Sequence, residues 1–215
     1  MADVYQFKVK LKELPKIIWR DIEITSVSTV AKLAYSVLVA FEAEATHLFG
    51  IEFKGVNYEI FPEDNQYENL KKLWEQLDKK IPIENLPVFK SIADPTKTKL
   101  SDLKLSKGDV LHMEYDYGAG WEFSIKLIRI TEMKKGTGTH YPYIVNGRGK
   151  GIIEDMFPFE LVEMIKETNE TGNLPKIYDA FSDDGIEWDY NDFDLEYCNM
   201  SFKDIIRKIQ SIYEE

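Results

Sequence analysis

The sequence predicts an α+β fold, a largely antiparallel or mixed β-sheet with amphipathic helices packed on it. Alternating apolar residues recur over 5–11, 18–24, 49–53 and 121–127, the period of half-buried strands. Apolar residues at helical spacing mark 30–41, 157–165 and the C-terminal 202–213. The two kinds of element do not alternate strictly along the chain, which disfavours a doubly wound parallel sheet.

Taken in order, Tyr5, Phe7, Val9 and Leu11 alternate with Gln6, Lys8, Lys10 and Lys12, a strand with a lysine-rich outer face that Pro15 ends. Ile18, Arg20, Ile22 and Ile24 resume as its antiparallel partner. Ser28 is placed to cap a helix whose apolar face is Val30, Leu33, Ala34, Val37, Leu38 and Phe41. Phe49, Ile51 and Phe53 form a strand that Lys54-Gly55 turns toward Val56–Ile60. Tyr67, Leu70, Trp74 and Leu77 suggest a further helix, after which Pro82, Pro87 and Pro95 punctuate a polar stretch. Residues 1–215 therefore read as one domain, with an inserted or irregular lobe at 61–99. The run 110–115 reaches Asp116-Tyr117-Gly118-Ala119-Gly120 and returns from Trp121, a hairpin with a glycine-containing loop. Residues 136–151 read as loop, 157–167 as helix, and the last helix is expected to open with the capping-box spacing of Ser201 and Asp204. Its buried face is expected to be Phe202, Ile205, Ile206, Ile209 and Tyr213.

A chain of 215 residues, 44% hydrophobic, is long enough to bury about 70% of its unfolded surface in one core. Aromatic residues make up 13%, which excludes a disordered chain. The net charge of −11 is uneven: residues 1–151 carry 22 basic and 21 acidic groups, residues 152–215 carry 5 and 17. The acidic third repels phosphate backbones, so DNA binding is disfavoured unless a local basic patch forms among the earlier lysines. One cysteine, Cys198, cannot make an internal disulfide, and its acidic surroundings disfavour a thiolate. Neither a signal core nor a run of 18 apolar residues is visible, so a cytoplasmic protein away from the membrane is expected.

Catalytic signatures are scarce. His47, His112 and His140 stand far apart, without the helical spacing of a zinc pair, and each reads as structural. G-x-S-x-G is absent. In Asn146-Gly147-Arg148-Gly149-Lys150-Gly151, alternate glycines and two cations suit an anion cradle or, more simply, a flexible connection. Between 179 and 196, Asp183, Asp184, Glu187 and Asp189 are weak candidates for Ca²⁺ or Mg²⁺ ligands, but the calcium-loop pattern fails and a packed segment with an acidic face is the simpler reading. No cofactor is expected.

Four blocks occur in an order that resembles the plasmid pRiA4b ORF-3-like family. They are Ile17-Ile18-Trp19-Arg20 with His47-Leu48-Phe49; Tyr115-Asp116-Tyr117-Gly118 with Trp121; Tyr141-Pro142 with the glycine loop and Ile153-Glu154-Asp155; and Asp192-Phe193-Asp194-Leu195 with Asn199. Together they span nearly the whole chain, and 61–99 fits least. The resemblance implies an α+β fold and a bacterial or archaeal cytoplasmic protein, with a mobile genetic element as one context and no defined activity. Many members carry a cysteine in the glycine loop; Lys150-Gly151-Ile152 stands here, so the resemblance implies no thiol or metal role for this loop.

The reading that follows is a non-enzymatic binding module for a protein partner or small ligand. Its expected surface joins the hairpin tip to the 146–155 loop through Asp116, Tyr117, Trp121, Arg148, Lys150 and Asp155. The alternatives are an accessory DNA-handling protein of plasmid or transposon origin, associated with a resolvase or repressor, and a metal-dependent hydrolase using the acidic segment.

Overall fold

The computed structural model describes residues 2–60, 91–178 and 185–214. The helix expected at 67–77, most of the 61–99 lobe, and Asp183 and Asp184 lie outside the described residues.

The first hairpin forms as the alternation requires. Strand β1 (Asp3–Leu11) pairs antiparallel with β2 (Trp19–Thr25), with Phe7 opposite Ile22 and Val9 opposite Arg20. Helix α1 (Val30–Ala40) follows, and its cap sits one residue later than expected. The Thr29 side chain accepts the Lys32 N–H at 3.1 Å, while the Ser28 hydroxyl is taken by Thr25 at 2.8 Å. Strands β3 (Phe49–Phe53) and β4 (Val56–Glu59) form the next hairpin. Strand β5 (Ser91–Ala93) runs parallel to β4, and three residues are too few for any periodic signal.

Strands β6 (Val110–Tyr115) and β7 (Trp121–Glu132) make the long hairpin, and β7 also pairs with β1. The expected loop at 136–151 is corrected in part. Strand β8 (Tyr143–Arg148) runs through its middle, pairing Arg148 with Trp19 and Gly147 with Arg20. Glycine is tolerated there because the backbone must pass closely under other groups: a Cβ on Gly147 would meet the Phe193 ring at 2.6 Å.

Helix α2 (Pro158–Thr171) ends at Gly172, whose φ of 74° is the left-handed cap. Strands β9 (Lys176–Ile177) and β10 (Ile186–Glu187) form a separate two-residue pair. Helix α3 (Leu195–Glu214) begins six residues before Ser201. Asp194 caps it by accepting the Tyr197 N–H at 3.0 Å, and Asp204 pairs instead with Arg207 at 2.8 Å within the helix. Phe202, Ile206 and Ile209 are buried as expected, Tyr213 is partly covered, and Ile205 is exposed.

Among the described residues the main sheet has eight strands in the order β5-β4-β3-β6-β7-β1-β2-β8. Helices α1 and α3 pack against each other, and α1 meets β2 and β3 while α3 meets β8. The inner face buries Phe7, Val9, Leu11, Ile22, Ile51, Leu111, Trp121, Phe123, Ile125 and Ile144. By cross-strand register, Arg20 shares this face with Val9 and is fully buried. Its guanidinium donates to the carbonyls of Ala40 at 2.8 Å, Trp19 at 3.0 Å and Arg148 at 2.8 Å, tying together β2, α1 and β8. The Phe193 ring lies 4.0 Å from its Cζ. Burial pushes the Arg20 pKa down to about 10.

Candidate functional site

The long hairpin ends at Asp116, a non-glycine residue in the left-handed region with φ of 53°. Its carboxylate stabilises that turn by accepting the N–H groups of Gly118 at 3.0 Å and Ala119 at 3.3 Å. The Asp116 N–H donates to the Leu48 carbonyl at 3.0 Å, which fastens the tip to the segment between α1 and β3. That segment is itself tightly bent, with Glu42 and Ala45 both at φ of 60°.

His47 lies at this junction with its side chain about one-third exposed. Its Nε2 is 3.5 Å from Glu154 Oε1, 3.5 Å from Asp155 Oδ1 and 3.8 Å from Asp116 Oδ2. Three carboxylates thus converge on one imidazole from two loops separated widely in sequence. Glu154 is held rigidly: Tyr115 donates its hydroxyl to Oε1 at 2.6 Å, and the Glu44 N–H donates to Oε2 at 2.8 Å. The Tyr115 hydroxyl in turn accepts the Thr46 N–H at 3.2 Å. Burial, then the adjacent Glu154 carboxylate, pushes the Tyr115 pKa upward, so the phenol stays a donor. Asp155 is free to meet solvent, with 86% of its side chain exposed, and its φ of 59° is a fourth left-handed non-glycine position around this junction, after Asp116, Glu42 and Ala45. From below, Tyr213 of α3 donates its hydroxyl to the His47 carbonyl. Tyr213 is stacked on Tyr35 and edge-on to Phe49, which locks the helix to the loop.

A model of the plasmid pRiA4b ORF-3-like protein family matches residues 3–201. The chain belongs to that family. The crystal structure of a protein of unknown function, MM3350 from Methanosarcina mazei Go1, is similar in fold: it is 20% identical, with a TM-score of 0.64, and the match covers 92% of this chain and 98% of that one. No curated protein matches the chain.

The blocks that carry the pRiA4b ORF-3-like resemblance are the ones this fold gathers. Tyr115 and Asp116, Glu154 and Asp155, and His47 build the junction. Residues of the first and last blocks meet separately, with the Phe193 ring against Arg20 and Asn199 bonding to both the N–H and the carbonyl of Ile144 in β8. Reading His47 as an isolated structural residue missed its role as the centre of the cluster, and Glu154 was not singled out. The signal was present only in the order of the blocks.

Other expected site residues are placed differently in this pRiA4b ORF-3-like chain. Trp121 is 1% exposed, the first inward residue of β7, and contributes to the core. Tyr117 points across the opposite face of the sheet and donates its hydroxyl to Glu59 at 2.9 Å. Lys150 pairs with Asp192 at 3.3 Å, and the Arg148 carbonyl is occupied by Arg20. The anion cradle is not formed by the glycine run: the N–H of Gly147 is taken by Asn146, that of Lys150 by the Tyr190 carbonyl, and that of Gly151 by Glu42. Of the basic patch, Lys8 is paired with Asp21 at 2.9 Å and lies over the Trp19 ring, and Lys12 is paired with Glu122.

In the acidic segment, Trp188 is buried, and Glu187 belongs to β10. Asp189 turns back to accept the Asn191 N–H at 2.9 Å. Among the described residues, no cluster of His, Cys, Asp or Glu has the arrangement of a metal site. Burial raises the Cys198 pKa, opposed by Arg20 nearby. No described helix is long and apolar enough to cross a membrane.

Proposed function

We propose that this chain is a binding module for a protein partner, and that the His47 junction receives a basic side chain of that partner. The observation that carries the reading is the convergence of Asp116, Glu154 and Asp155 within 4 Å of one partly exposed imidazole. One of the three, Glu154, is already fixed by two donors, and a preorganised carboxylate loses little freedom when it accepts a lysine or arginine. Apolar anchors flank the acids in sequence. Leu48 follows His47 and is 50% exposed, while Phe157 and Phe159, stacked at 5.6 Å, follow Asp155 and are also exposed. Exposed aromatics close in sequence to a charged socket suit a protein-recognition surface.

The test is an array of Lys- and Arg-containing peptides, with each basic residue replaced by Gln in matched controls. Selective binding of basic peptides is expected, weakened about tenfold or more in D116N/D155N because hydrogen bonds to charged groups contribute about 1.5–3 kcal/mol. Equal retention of the Gln controls, or unchanged affinity in the double variant, removes this reading.

A further inference from the structure

The outer face of the same sheet carries a recess of about 650 Å³, opening over β3, β4, β6 and β7 and distinct from the His47 junction. That volume lies within the roughly 300–1,000 Å³ of small-molecule pockets.

Cross-strand register shows what the recess is built around. Gly50 of β3 stands between Glu59 of β4 and Glu114 of β6, the residues directly opposite it on either side. Without a side chain at Gly50, the row has a gap in its middle. Two polar atoms reach over that gap: a Cβ on Gly50 would meet the Tyr117 hydroxyl at 2.6 Å and Asn57 Oδ1 at 3.0 Å.

Both atoms are held from behind. Glu59 accepts the Tyr117 hydroxyl at 2.9 Å and the Asn57 amide N–H at 2.9 Å. A carboxylate only accepts, so this contact decides which end of the Asn57 amide faces the gap. With those protons committed to Glu59, the Tyr117 oxygen and Asn57 Oδ1 present lone pairs to the space above Gly50. Asn57 is 8% exposed, and among the described residues nothing donates to its Oδ1. A buried amide oxygen without a donor is costly, and one that opens on a recess is satisfied by what enters it. Glu114 adds carboxylate oxygens from the far side of Gly50. Charge is not what the recess lacks, since Glu122 beside Glu114 is paired with Lys12. What converges here is a set of acceptors that call for donors. The floor is strand backbone at Met113 and Phe123, and the half-exposed Tyr117 ring forms a wall.

We infer that this recess binds a neutral sugar, a pyranose with equatorial hydroxyls. Such hydroxyls lie around the edge of the ring and donate to Asn57 Oδ1, the Tyr117 oxygen and Glu114. The C–H face of the sugar is left for the negative face of the Tyr117 ring. His112 and Ser124, directly opposite each other in the adjacent row, meet the outer hydroxyls.

The experiment is calorimetric titration of the full chain with cellobiose. The control is its fully O-methylated derivative, which keeps the rings and loses the donors. One saturable cellobiose site is expected, with no binding of the methylated form. G50A fills the gap and is expected to weaken cellobiose about tenfold or more, as is E114A, whereas E114Q keeps an acceptor oxygen and most of the affinity. D116N/D155N, at the His47 junction, should leave cellobiose unchanged, so failure of one assignment is separable from failure of the other. Thermal melts establish that each variant is folded; if G50A is not, E114A against E114Q decides. No saturable cellobiose binding, comparable binding of the methylated form, or full affinity in folded G50A overturns the site. So does an E114Q as weak as E114A, because charge rather than hydrogen-bond acceptance would then hold the ligand.

Discussion

The two faces of the main sheet are made from alternate residues of the same strands, yet they treat charge in opposite ways. On the inner face, Arg20 is a fully buried cation whose hydrogen bonds all run to backbone carbonyls. On the outer face, Glu114 stands directly opposite Glu122, and Glu122 is paired with Lys12. A charge wired to the main chain of three elements fixes their relative positions. Carboxylates set opposite one another repel, and here a neighbouring lysine answers one of them from the exposed surface. The contrast separates a charge fixed by backbone groups from charges that act on one another across a strand pair.

The largest effect is expected on the inner face. R20M keeps most of the apolar stem but leaves the carbonyls of Ala40 and Arg148 without their donor, at a cost of about 2–4 kcal/mol. Urea unfolding measures it, and an unchanged midpoint would break the distinction by showing Arg20 to be dispensable for stability. Y115F comes next. It removes the hydroxyl that holds Glu154 and is expected to cost about 1–2 kcal/mol while lowering basic-peptide binding at the His47 junction. Unchanged peptide binding in a folded Y115F would show that Glu154 needs no such anchor.

The smallest effect carries a sign. Because the folded pKa of Glu114 is raised, the folded state holds more protons than the unfolded state between its ordinary and its raised value. Stability therefore falls as pH rises through that window. E114Q removes this loss, so its melting temperature at pH 7 should lie slightly above the parent's, with the gain vanishing below the ordinary carboxylate range. A lower melting temperature at pH 7 would mean that Glu114 makes a favourable contact instead.

Much of the architecture was legible because it is local. Alternation placed β1, β2, β3, β6 and β7, and the apolar face of α1 from Val30 to Leu38 is buried as its spacing requires. The misplacements arose where local rules compete. Asp194 and Ser201 are both plausible caps, and the one that also ends the preceding irregular segment prevails. Gly147 and Gly149 resemble a loop in sequence, yet they lie where the chain passes against Phe193 and the Ile17 carbonyl. The His47 junction was illegible for a different reason. Its groups come from three separate stretches, and only the tertiary fold sets the imidazole 3.5 Å from both Glu154 and Asp155.

The position of β1 bears on how the chain reaches this structure. It lies inside the sheet, between β2, which follows it almost at once, and β7, which begins only at Trp121. During synthesis the first hairpin is therefore available long before the strand that covers its other edge. Until then β1 presents unpaired backbone groups beside Phe7, Val9 and Leu11, an open template for pairing with other chains. The β1–β7 pairing, from Asp3 with Glu132 to Leu11 with Phe123, is what covers that edge.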